Sequence, residues 1–324
     1  MGNTINFNDF IGTSSGDEGK MLGKFLYFSL ANLLVKKADL EELCLKMNIP
    51  YTVGKRVSAG DAFRSATGDI RQRIVVNHGG ETTIYMVYCR DNRRSASGYS
   101  RELVKETLNR QTNQYEKLAN ITFDKATEMI YCDNMVFDPD IDVYGCCRQA
   151  EELFELYKEC ANRKQIETIC TSFLQSIEAV KLSVNGHMYF VPNTFMGQVD
   201  TFEDFITGLG EKNQKGTPLM VNSFYIIDDE KQRGKMAEEV YLALKKEIEK
   251  YQDRCDYFIK SGCNSPAVME RWAAKVHGLE ARKRRFEEIL QREIIGLNDD
   301  FSTLKLLSQE LQVRADTIRF QKAA

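Results

Sequence analysis

No apolar run in the sequence approaches the roughly 20 residues that a membrane span requires. No membrane association is therefore expected. The opening stretch MGNTINFNDF has neither the basic region nor the apolar core of a secretory signal, and the expected compartment is the cytoplasm. Cys-x-x-Cys occurs nowhere among the nine cysteines, whose number is odd and whose spacing is irregular. That removes the usual zinc-knuckle geometry and leaves most of them as reduced, small hydrophobes in the core. Histidine is scarce. His78, His187 and His277 fall on separate predicted elements, which argues against a histidine metal cluster or a Ser-His-Asp relay. An excess of one charge is missing too: 44 Lys and Arg against 47 Asp and Glu leave a net charge of −3, without the global basic field of a nucleic-acid binder. Internal repeats and low-complexity tracts are absent.

What is present is organised around residues 229–295. Met236, Val240, Leu244, Ile248, Tyr251, Cys255 and Phe258 recur at spacings of three and four, and Val268, Trp272, Val276, Leu279, Phe286 and Leu290 do the same. Each set makes one apolar seam, so the stretch reads as two long helices folded back on each other. Gly262 suits the left-handed position that ends the first, Ser265 an N-cap, and Pro266 the first turn of the second. The outer third of such a hairpin is expected to project uncovered. Tyr257, Phe258, Ile259, Val268, Met269 and Trp272 lie there and are the expected interface residues.

The remaining chain divides by pattern. Residues 1–15 are polar and read as a mobile leader. A helix is expected from about Asp17, carrying Leu22, Phe25, Leu26, Leu30, Leu33 and Leu34, and a second over 38–47. From Ile70 the period changes to two: strands are predicted over 70–77, 82–90, 101–108, 115–123 and 126–132, forming an antiparallel meander. Helices follow over 146–162 and 165–181, then a hairpin through Asn185-Gly186, in a layout like a winged helix. The expected fold class is α+β. Its divisions are the leader (1–15), a helix-plus-antiparallel-sheet domain (16–137), a helical and winged segment (138–228), the helical hairpin (229–296) and a C-terminal helix (297–324).

Three blocks, LGKFLYFSLANLLVKKADLEE, SAGDAFRSATGDI and SFLQSIEAVKLSVNGHMYFVP, are similar to an uncharacterised bacterial family carried on phages, prophages and plasmids. The similarity spans about residues 22–192, with Asp61-Ala62-Phe63-Arg64 and Tyr189-Phe190-Val191-Pro192 as its anchors. It implies a mobile-element context, where accessory proteins bind and inhibit host defence systems or handle nucleic acid. It transfers no catalytic residue.

Local motifs point away from catalysis. Residues 12–21 resemble a phosphate-binding loop but place Ser14 and Met21 where a glycine and a hydroxyl are required. Asp138, Asp140 and Asp142 have the spacing of a calcium loop, yet Val143 and Gln149 stand where it needs glycine and glutamate. A capping role for Asp228 or Asp229 fits better than a metal site. Cys146-Cys147 has no base nearby in sequence. Two basic clusters remain. Arg90, Arg93, Arg94 and Arg101, with Tyr99, flank a predicted loop that could grip phosphates and stack on a base. Arg282-Lys283-Arg284-Arg285 reads as a solvated helix face paired with nearby glutamates.

The expected function is therefore non-enzymatic, with no catalytic residues, metal or cofactor. The leading expectation is a phage or mobile-element accessory protein that self-associates and binds a protein partner, a host defence complex, through the helical hairpin. The alternatives are a nucleic-acid-binding protein using the basic loop and the wing, and a metal-dependent enzyme acting on nucleic acid.

Overall fold

The computed structural model describes residues 12–13, 21–51, 57–78, 80–108, 114–182 and 186–323. The expected leader and the phosphate-loop-like stretch lie almost wholly outside the described residues. In chain order the strands are Gly12–Thr13 (β1), Met21–Phe28 (β2), Leu34–Lys36 (β3), Arg71–His78 (β4), Glu81–Arg94 (β5), Gly98–Thr107 (β6), Gln114–Asp124 (β7), Met129–Asp133 (β8), Cys160–Asn162 (β9), Val180–Lys181 (β10), His187–Pro192 (β11) and Val221–Ile227 (β12). The helices are Lys37–Lys46 (α1), Ala59–Asp69 (α2), Val143–Glu159 (α3), Arg163–Ser176 (α4), Met196–Glu211 (α5), Glu230–Lys260 (α6), Pro266–Leu290 (α7) and Asn298–Ala323 (α8). The fold is α+β, and its sheets are antiparallel. Two compact units result, one of residues 32–169 with 211–217, the other of 1–31, 170–210 and 218–324.

The first unit is built on a meander of order β4-β5-β6-β7-β8. Its alternation turns Val87, Leu103, Ala119, Ile121 and Phe123 to one face, where Ala62, Phe63 and Ala66 of α2 and Cys146, Cys147, Ala150 and Phe154 of α3 close the core. Both helices start on side-chain caps: the Ser58 hydroxyl accepts from the Asp61 amide, and the Asp142 carboxylate from the Gly145 amide. A short β3–β9 ladder forms a separate two-stranded sheet whose Leu34 and Cys160 join the same core. Residues 211–217 are fastened to this unit by Asn213, whose side chain accepts from the Leu34 amide at 3.1 Å and donates to the Asn32 and Thr217 carbonyls.

In the second unit a five-stranded sheet has the order β1-β12-β2-β11-β10. Here the structure corrects the reading of residues 22–34 as helix: Met21–Phe28 is a strand, paired with β11 on one side and β12 on the other. Seven of its eight residues are buried. A mostly apolar run, interrupted only by Gly23 and by Lys24, suits a strand covered on both faces as well as a helix. The β10–β11 hairpin is likewise no projecting wing, because β11 pairs with β2 from His187 to Pro192 and buries Tyr189, Phe190 and Val191. Its turn residue Asn185 lies outside the described residues.

The helical hairpin forms with Asp229 as N-cap, accepting from the Gln232 amide at 2.8 Å, and Gly262 at φ +63° in the turn. Ser265 makes no side-chain cap, and Pro266 occupies the first turn of α7. The outer third is not bare. Phe301, Leu304, Ser308, Leu311, Ala315 and Ile318 of α8 recur at spacings of three and four and lie against the α6–α7 seam. Near the tip, Arg314 donates to the Ile259 carbonyl at 2.8 Å and Arg319 pairs with Glu270 at 2.7 Å. The hairpin and α8 therefore make a three-helix bundle, because each seam leaves an apolar groove that a third amphipathic helix fills.

Candidate protein-binding surface

Of the six expected interface residues, Phe258 and Met269 are buried in the bundle core, and Ile259, Val268 and Trp272 pack against it. Tyr257 is 57 % exposed. The basic run of α7 is neutralised within its unit: Arg282 pairs with Glu247, Lys283 with Glu287, Arg284 with Glu280 and Arg285 with Glu178.

The predicted basic loop is mostly strand, since β5 runs on to Arg94 and β6 begins at Gly98. Arg101 is used internally: Nε donates to Asp91 at 2.7 Å, and one terminal nitrogen donates to the Arg64 carbonyl and the Thr67 hydroxyl. Tyr99 stacks on Phe123, and the cations of Arg64 and Lys125 lie over its ring. Arg90 is exposed and sits over the Tyr115 ring at 5.1 Å. Arg93 and Arg94 pair with Ser100 and Tyr99 in register; their side chains lie outside the described residues. The meander thus engages three of the five groups, Arg90, Tyr99 and Arg101, in contacts of its own unit.

The aspartates at 138, 140 and 142 do not converge on a cation. Asp138 is bonded to Lys105 at 2.6 Å and accepts from the Asp140 amide, while Asp142 caps α3. Among the described residues no three His, Cys, Asp or Glu side chains are placed to hold a metal ion. Asp228 is clamped by Arg233 at 2.6 and 3.0 Å. A Tyr157–Asp69–Lys215 cluster is joined by contacts of 2.6 to 3.0 Å. Burial and Asp69 push the Tyr157 hydroxyl up, away from neutrality. It fastens residues 211–217 in place.

The feature that composition does not explain is a loop after the edge strand β8. Met135, Val136, Phe137 and Tyr144 are 49, 53, 90 and 67 % exposed, and they line a groove of about 510 Å³ together with residues 138–143. Met129 and Tyr131, on β8 just before it, are also exposed. This backbone is pinned, not frayed. The Val136 amide donates to the Leu118 carbonyl at 2.8 Å, Ile141 and Val143 are buried, and Asp142 caps α3. Between the two anchors lies the Lys105–Asp138 pair, with both side chains under 10 % exposed. Burial pushes the Asp138 carboxyl up, but Lys105 and the Asp140 amide outweigh it and hold the group below the usual carboxylate range. Large apolar groups held in fixed positions toward water make this loop the candidate binding surface. The last strand predicted for the meander ends at residue 132, and Met135-Val136-Phe137 fall in no predicted element and no predicted site. The signal available was an apolar triplet running straight into the acidic turn Asp138-Pro139-Asp140.

These residues fall within a span matched by one known family, described as a family of unknown function (DUF6744), over residues 21–317. The chain belongs to the DUF6744 family. The DUF6744 match reaches well past the similarity expected over 22–192 and takes in the helical bundle. No curated protein and no solved structure matches the chain. No helix among the described residues is long and apolar enough to cross a membrane.

Proposed function

We propose that the protein is a cytoplasmic accessory protein of a phage or other mobile element, acting by stoichiometric binding to a host protein complex, with the Phe137 surface as its docking site. The observation that carries this reading is the set of large apolar side chains held outward around a pinned groove. A rigid apolar surface loses little conformational freedom on binding, so more of the gain from burial survives as affinity. The mobile-element context and the host defence target rest on the sequence similarity alone. Self-association has its own support in α8, where Leu306, Val313 and Phe320 recur every seven residues and stay 64 to 77 % exposed. That row lies on the helix face opposite the packed seam.

The test is capture from bacterial lysate by the wild type and by a Phe137→Asp/Tyr144→Asp variant with unchanged thermal unfolding. The expected result is one partner held at a fixed molar ratio by the wild type and lost by the variant. Equal capture by both proteins, or capture by neither, refutes the reading.

A further inference from the structure

Independently of the docking reading, we propose that the open face of the meander binds single-stranded nucleic acid. Its phosphates sit on the arginines of β4 and β5, and its bases stack on the tyrosines beside them. One face of this sheet is covered by α2 and α3, and the pleat sends alternate residues to the other. There the register sets Arg71 opposite Tyr88, Arg73 opposite Met86 and Val75 opposite Ile84, with Arg90 next along β5. Arg71, Arg73 and Arg90 are exposed, and no ion pair holds any of the three among the described residues. The outward positions of these two strands carry no carboxylate. From Arg71 to Arg90 the only acidic residue is Glu81, at the hairpin end.

Carboxylates appear farther across the face, and each is engaged there. Glu102 pairs with Lys117 at 3.1 Å, Glu106 meets the Tyr88 hydroxyl, and Asp133 accepts from the Asn120 and Asn134 side-chain amides. The arginines are thus gathered along one edge, and the rings lie next to them. Tyr115 on β7 is 49 % exposed, with Arg90 over its ring at 5.1 Å. Tyr88 is half-buried and stands between Arg71 and Val104 in register. An extended polyanion with planar faces fits this arrangement. Alternate residues of one strand stand about 7 Å apart, so Arg71 and Arg73 meet different phosphates. Guanidinium groups bond phosphate oxygens in pairs and also stack on rings. Unpaired bases reach the tyrosines, whereas the bases of a duplex are stacked on one another and offer only their edges.

The probes are labelled oligo-dT and oligo-rU of about 12 nucleotides and a duplex of the same length, read by fluorescence anisotropy against the full chain. Single strands should bind more tightly than the duplex, and a difference between the two single strands assigns DNA or RNA. Log affinity should fall with log salt at a slope of about −2, from three phosphate contacts. Arg71→Gln/Arg73→Gln should weaken binding and flatten that slope by about 1.4. Tyr115→Leu should weaken it about fivefold or more and leave the slope in place. Val75→Glu adds a carboxylate to the same exposed face and should weaken binding as well, which keeps the test open if another variant unfolds. No binding at low salt, equal binding of the duplex, or full affinity in Tyr115→Leu overturns the inference. Phe137→Asp/Tyr144→Asp should bind the single strands as the wild type does; a loss there places the ligand on the other surface and also overturns it. Protein captured from nuclease-treated lysate by the wild type but not by Arg71→Gln/Arg73→Gln, with no oligonucleotide bound, would assign the face to an acidic protein and overturn it. Each of these results leaves the lysate test of the Phe137 surface to stand or fall by itself.

Discussion

Replacing Lys105 with Met tests the physical premise behind the binding surface, that the loop carrying Phe137 is held by a buried ion pair. The two side chains are 8 and 6 % exposed and meet at 2.6 Å, with Glu116 3.6 Å from the same ammonium. Removing the cation leaves the Asp138 carboxylate in a poorly hydrated site with only amide donors, and breaking such a pair costs about 3–5 kcal/mol. For a unit of this size that corresponds to a fall in Tm of about 10 °C. The pH dependence supplies an independent check. In the wild type Asp138 sits below its unfolded pKa of about 3.9, so its contribution is full above that value and is lost as pH falls through the folded one. In Lys105→Met burial, the largest influence on the group, is opposed only by the Asp140 and Ile141 amides and pushes it upward, so protonation relieves the variant while the wild type is still fully stabilised. The stability gap between the two should therefore narrow from pH 7 to about pH 4. The double variant Lys105→Met/Asp138→Leu, which removes both charges, should recover most of the loss. Urea unfolding at several pH values reads all three numbers. A single-variant cost under about 1 kcal/mol, or a gap that widens toward acid, would mean the pair does not hold the loop.

Arg101→Met should cost about 2–3 kcal/mol, since it strips hydrogen bonds from Asp91, the Arg64 carbonyl and Thr67; unchanged urea stability would show that Arg101 is not used internally. Gly98→Ala should destabilise by about 2 kcal/mol or more, because an added Cβ would collide with the Phe123 carbonyl oxygen. A wild-type midpoint would mean that this strand pair can move apart. Asp229→Ala should cost about 1 kcal/mol through the lost cap of α6, measured by calorimetry; a loss several times larger would point to a role beyond capping. Burial pushes the Cys44 and Cys255 thiols to about 11 and Cys89 to about 12. At pH 8 a maleimide should leave all three unmodified in the folded protein by peptide mass mapping, and rapid labelling of any one would show that its site opens.

The parts of this fold that were legible in the chain are those whose information is local. Alternation with turn residues at short intervals predicted the meander, since consecutive antiparallel strands pair with their sequence neighbours. The α6–α7 hairpin was visible for the same reason, with Asp229, Gly262 and Pro266 marking its ends. Residues 21–28 were not legible, because a strand with two covered faces has no period of its own. It became a strand only because β11 and β12, from sequence more than 150 residues away, supply its hydrogen bonds. The same distance hid the fate of the basic cluster. Arg101 and Tyr99 look available in sequence, but Arg64, Thr67 and Phe123 are brought to them by α2 and β7. Phe137 is the converse. By composition it belongs in a core, and it faces solvent because Val136 is tied to Leu118, Asp138 to Lys105, and Ile141 and Val143 take the buried positions on either side of the turn. Residue types and spacing set the local elements; which apolar groups were left facing water depended on pairings that only the folded chain could make.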